Sequence, residues 1–75
     1  MQTVREIYSP SMLYRAEIIK RNDGLYQAEI YKWDDEWEFW QHISRGLSLI
    51  DSEESAVKVA VEKLRNYSGE NVLPE

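Results

Sequence analysis

The side chains that could do chemistry here are few, and their spacing argues against most reactions. There is one histidine, His42, and no cysteine. A catalytic imidazole needs a nucleophile or an orienting acid held beside it, and zinc needs three or four such ligands. No serine, cysteine or histidine pattern surrounds His42, so a structural role is expected for it. Asp34-Asp35-Glu36 crowds three carboxylates together, but between two strand-like runs such a group forms a solvated turn rather than an acid–base pair. The same acids lack the regular oxygen spacing and closing glutamate of a calcium loop. Asn22-Asp23-Gly24 has the composition of a turn without the repeated glycines of a phosphate loop. Asn66-Tyr67-Ser68 matches a glycosylation sequon, yet no export signal is expected from MQTVREIYSP. Catalytic residues, a metal site and a cofactor are therefore all expected to be absent, and the protein is not expected to be an enzyme.

Composition narrows the remaining classes. Seventy-five residues make one small domain, which buries only about 60% of its unfolded surface and has modest stability. Nine Lys/Arg against fourteen Asp/Glu give a net charge of −5. Nucleic-acid binding begins with clustered cations that neutralise phosphates, so direct nucleic-acid binding is not expected. The apolar runs are far too short to span a bilayer, and no membrane association is expected. The lack of cysteine fits a reducing cytoplasm.

The elements follow from periodicity. Tyr14-Arg15-Ala16-Glu17-Ile18 is echoed by Tyr26-Gln27-Ala28-Glu29-Ile30, and both alternate as strands do around an Asn-Asp-Gly turn. A three-residue loop with Gly24 left-handed sets Ile18 opposite Ala28 and Ala16 opposite Ile30, which aligns the apolar faces. At the second turn, an Asp34–Glu36 loop predicts Trp33 opposite Trp37, Lys32 opposite Glu38, Tyr31 opposite Phe39 and Ile30 opposite Trp40. The third strand then runs from Trp37 to about Ser44, with a kink at Gly46 and an extended piece over Leu47–Ile50. Asp51 or Ser52 caps a helix whose apolar stripe is Ala56, Val57, Ala60, Val61, Leu64 and Tyr67. Ser68-Gly69 ends it. The expected fold is α+β: a three-stranded antiparallel meander, with a possible extra strand, and one C-terminal amphipathic helix on one face. Residues 12–67 form this βββα unit, residues 1–11 an arm or edge strand that Pro10 separates from the meander, and residues 68–75 a loose tail.

A sheet with one helix has one covered face. Tyr14, Ala16, Ile18, Tyr26, Ala28, Ile30 and Trp40 are expected beneath the helix, with His42 nearby. The opposite face would carry Arg15, Glu17, Ile19, Gln27, Glu29, Gln41 and Ile43, with Tyr31, Trp33, Trp37 and Phe39 gathered at one end. Those four aromatics are the candidate partner-binding residues, because exposed aromatic patches on small proteins commonly mark interfaces. A cover made by residues 1–11 or by Val72-Leu73, or simple stabilisation of the hairpin, is the alternative.

YRAEIIKRNDGLYQAEI followed by SEESAVKVAVEKL resembles the N-terminal domain of HicB-type antitoxins. Asp23, Gly24, Tyr26 and Ile30 match that family's hairpin, and Ser52, Glu54, Ala56, Ala60, Glu62 and Leu64 match its helix. The family's Pro-Asp-Leu-Pro-Gly segment is replaced by the aromatic hairpin. No helix-turn-helix or ribbon-helix-helix module occurs in these residues, so the resemblance does not imply DNA-binding autoregulation. It implies a meander-plus-helix fold and a neutralising role against another protein.

The expected function is a small acidic protein–protein interaction module: an inhibitor, adaptor or antitoxin-like neutraliser, including phage or mobile-element products. Its partner would be another protein or a second copy of itself. An alternative is a nucleic-acid mimic presenting Asp34, Asp35, Glu36, Glu38, Glu53 and Glu54 to a basic groove. A structural homodimer, through the aromatic face or a strand edge, is a further one.

Overall fold

A computed structural model describes residues 2–44 and 49–73. In chain order the elements are β1 (Gln2–Tyr8), β2 (Tyr14–Lys20), β3 (Tyr26–Asp34), β4 (Phe39–Ser44) and α1 (Glu53–Ser68). The strands form one antiparallel sheet in the order β1-β2-β3-β4. The N-terminal arm is thus a full edge strand. Pro10 lies in the tight loop that turns β1 onto β2, where Ser9 donates its N–H to the Tyr14 carbonyl at 2.9 Å. The Ser9 hydroxyl is buried and accepts the Tyr14 N–H at 3.2 Å.

The first hairpin pairs as its pattern predicts: Ile18 faces Ala28, and Ala16 faces Ile30. Gly24 has φ 86°, a left-handed conformation that costs glycine little. The inner face then holds Ile7, Ala16, Ile18, Ala28 and Ile30 against Ala56, Ala60, Val61 and Leu64 of α1. Alanines on both layers let the helix approach closely. Ser52 is the N-cap, its hydroxyl accepting the Ser55 N–H at 3.1 Å, and Gly69 is the left-handed C-cap. Tyr67, at the end of the expected stripe, stays exposed.

Of the described residues after the helix, Glu70 and Val72 are held in place rather than loose. Val72 is fully buried in the core, and its carbonyl accepts from Arg65 Nε at 2.9 Å. Glu70 accepts from both the N–H and the hydroxyl of Ser11, each at 2.7 Å. That clamp ties the end of α1 to the β1–β2 loop.

The second hairpin departs from expectation. Trp33 faces Trp40 and Asp34 faces Phe39, so the loop is residues 35–38 and Trp37 is a loop residue rather than a strand partner. Moving the partner of Trp33 from Trp37 to Trp40 is an odd shift, and an odd shift exchanges the faces of a strand. Trp40 and His42 therefore leave the helix side for the outer face. Gln41 and Phe39 take the inner-face parity instead. The Asp34 carboxylate causes this turn by accepting the N–H groups of Glu36 at 3.0 Å and Trp37 at 3.1 Å, an Asx-type turn. Glu38, at φ 55°, closes the loop.

Further along β4, Ile30 pairs with Ser44 while Tyr31 pairs with His42. The extra residue, Ile43, bulges and packs against the core instead of lying outside. The expected kink at Gly46 and the start of the extended piece lie outside the described residues. Ile50 returns to pair with Tyr26 through two backbone hydrogen bonds.

Candidate protein-binding face

The outer face is organised in cross-strand rows. Tyr8, Arg15, Tyr31 and His42 stand side by side on β1 to β4. One row towards the β3–β4 turn lie Trp33 and Trp40. One row the other way lie Glu6, Glu17 and Glu29. Beyond those, Ile19 is buried between Thr3 and Gln27.

Arg15 is the centre of this arrangement. Its guanidinium lies 4.6 Å from the Tyr31 ring centroid and 4.8 Å from that of Trp40. Nη1 pairs with Glu6 at 2.7 Å and with Glu17 at 2.9 Å. The side chain is only 14% exposed, so screening by water is reduced and both the ion pairs and the cation–π contacts gain strength. Its buried Nε has no hydrogen-bond partner. Three carboxylates in one row would repel one another; Arg15 offsets two of them.

The aromatics pack on this cation and on each other. Trp33 and Trp40 meet edge to face at 5.4 Å, and Tyr8 meets Trp40 in the same manner at 6.1 Å. His42 stacks on Tyr31 at 4.8 Å, with Nε2 3.3 Å from Glu29. The Tyr31 hydroxyl is held above its ordinary pKa, first by burial and then by the charges of Glu29 and Glu17, with Arg15 opposing them. The Trp33 indole N–H is committed to Asp35 at 2.7 Å.

Of the four candidate binding residues, Tyr31 and Trp33 are on this face. Trp37 is 73% exposed in the loop and Phe39 is 47% exposed at the strand end; they form a rim at the turn end of the sheet. Met12 and Leu13 are exposed at the same end, with the Leu13 carbonyl accepting the Trp33 N–H at 2.8 Å. Tyr8, Arg15, Trp40 and His42 were missing from the expected set. Arg15 had a visible signal, its outward parity between two tyrosine-led strands. Tyr8 could be placed only once β1 was known to pair.

The six acids of the alternative surface do not come together. Asp34, Asp35, Glu36 and Glu38 sit at the β3–β4 turn, where Asp34 and Asp35 already accept hydrogen bonds. Glu53 and Glu54 open the helix, and Glu53 pairs with Arg5 at 3.0 Å. Arg5 is level with Ile18 and Ala28, six residues from Asp34, or about 20 Å along the strand.

A hollow of about 250 Å³ beside the second hairpin is lined by Lys32, Trp33, Asp34, Asp35 and Gln41, and its two carboxylates are those that hold the turn. Among the described residues no three His, Asp or Glu side chains are grouped to hold a metal ion, and no helix is long and apolar enough to cross a membrane. No family model, curated protein or solved structure matches this chain.

Proposed function

We propose that this protein is a small non-enzymatic binding module that docks another protein through the outer face of its sheet. One observation carries the reading: α1 lies on the inner face, while the outer face holds a preassembled array of Tyr8, Arg15, Tyr31, Trp33, Trp40 and His42. Aromatic and arginine side chains are the residue types that dominate interface energetics. Here their rotamers are held by mutual packing, so little side-chain entropy remains to be lost on binding. Trp37, Phe39, Met12 and Leu13 extend the apolar area beyond the turn.

The resemblance to HicB-type antitoxins suggests the kind of partner, a protein that this module neutralises in the cytoplasm. Affinity capture from a host extract, with wild-type protein and Trp33→Ala/Trp40→Ala, tests the reading. The double variant should weaken retention of the captured partner at least about tenfold, as loss of hot-spot anchors does. Unchanged retention by a folded double variant rejects it.

A further inference from the structure

The aromatic array lies between carboxylates. Glu6, Glu17 and Glu29 form the row on one side, and Asp35 stands at the other, where it holds the Trp33 indole N–H. Among the described residues, Arg15 is the one Lys or Arg side chain on this face. The strand cations Arg5, Lys20 and Lys32 have the opposite parity. Arg21 is in the β2–β3 turn against Asp23, and the remaining described ones are on α1, across the sheet. Acids therefore outnumber the single arginine, and the rings between them attract cations in their own right. The Tyr31 hydroxyl feels this excess. After burial, the charges of Glu29 and Glu17 are what raise its pKa, and each outweighs the opposing Arg15.

Arg15 also shows what this surface can hold. Two rings and two carboxylates bind its guanidinium, so the face already recognises an arginine from its own chain. That arginine is a poor anchor for an acidic partner, because Nη1 is shared by Glu6 and Glu17 and little of the side chain is exposed. The acids are more available. The Glu6 side chain is 45% exposed on the edge strand, with the exposed Tyr8 ring two residues further along the same face. We infer that the partner docked by this face presents a basic protein surface, its arginine side chains meeting Glu6 and Glu29 alongside the Tyr8 and Trp40 rings. The inference rests on the reading of this face as a docking surface and adds the charge of what it docks. The net charge of −5 acts in the same sense, drawing a cationic protein in from a distance.

Amide chemical-shift titrations at low ionic strength test the inference, with a Gly-Arg-Gly-Arg-Gly-Arg-Gly peptide and its glutamate counterpart as probes. The arginine peptide should perturb Glu6, Tyr8, Glu29 and Trp40 and reach saturation, and the glutamate peptide should perturb none of them. Glu6→Gln/Glu29→Gln should weaken the arginine peptide at least about fivefold. Glu54→Gln/Glu62→Gln removes the same charge from α1 and should weaken it less than about twofold. Near-ultraviolet circular dichroism checks that the tryptophans of the first variant keep their packing. If they do not, Glu6→Gln alone, at the exposed edge position, carries the comparison. Equal weakening by both pairs, or shifts spread over α1, overturns the inference by reducing it to general attraction of opposite charges. So does an arginine peptide that leaves the four sheet residues unmoved. Binding of the glutamate peptide at those residues overturns the basic partner but leaves the docking face standing, so the two readings fail separately.

Discussion

The two faces of this sheet are made by the same strands and solve opposite problems. On the inner face, Ala16, Ile18, Ala28 and Ile30 are all fully buried beneath a helix that contributes Ala56, Ala60, Val61 and Leu64. Small and branched side chains let two layers close, and burial supplies the stability. On the outer face, large rings and one guanidinium satisfy one another laterally and keep a polar, partly wet surface. The difference teaches that removing apolar area from water and pre-arranging side chains are separable tasks. The helix does the first, and the Arg15 array does the second.

The largest expected effect is on the inner face. Leu64→Ala leaves a cavity at a fully buried position and should cost about 2–5 kcal/mol, measured by denaturant unfolding. That is enough to unfold much of a domain this small. Trp40→Ala removes more atoms but only half-buried ones, together with two edge-to-face contacts, and should cost about 1–2 kcal/mol. Equal costs for the two would erase the distinction between the faces.

Smaller effects separate backbone from side chain. Gly69 has φ 70° with nothing near an added Cβ, so Gly69→Ala should cost about 1 kcal/mol through the left-handed backbone alone. Glu38, at φ 55°, is the converse. Glu38→Gly should raise stability by about 0.5 kcal/mol, the left-handed relief less the added freedom of the unfolded chain.

The smallest effect is a pH dependence on the outer face. The Tyr31 pKa is raised in the folded state, so the folded protein holds that proton more tightly than the unfolded chain does. This contribution is fully present below the ordinary value of 10.0 and is lost as pH rises through the higher folded value. Tyr31→Phe should therefore flatten the alkaline decline in melting temperature, with no change near neutral pH.

The first hairpin and the helix were legible because several local signals agreed there: the Tyr-x-Ala-Glu-Ile echo, Asn-Asp-Gly, Ser52 and Gly69. The second hairpin was not. With Trp33, Trp37 and Trp40 all present, two registers each offered a plausible aromatic pair. The choice fell to the Asp34 carboxylate, which captures two N–H groups of its own turn. β1 was obscured by its bulge at Val4, which breaks the period-two pattern that identifies a strand. Val72 gave no periodic signal at all, because it fills the core as a single side chain after the helix cap. The candidate site was half visible for the same reason: its composition could be read, but its membership depended on one odd shift in register.

The most direct measurement of the central claim is amide chemical-shift mapping on labelled protein titrated with the captured partner. The account predicts perturbations at Tyr8, Arg15, Tyr31, Trp33, Trp40 and His42, and none at Lys58, Glu62, Lys63 and Asn66 on the outer side of α1. Shifts confined to the helix residues, with the six sheet residues unmoved, would contradict it.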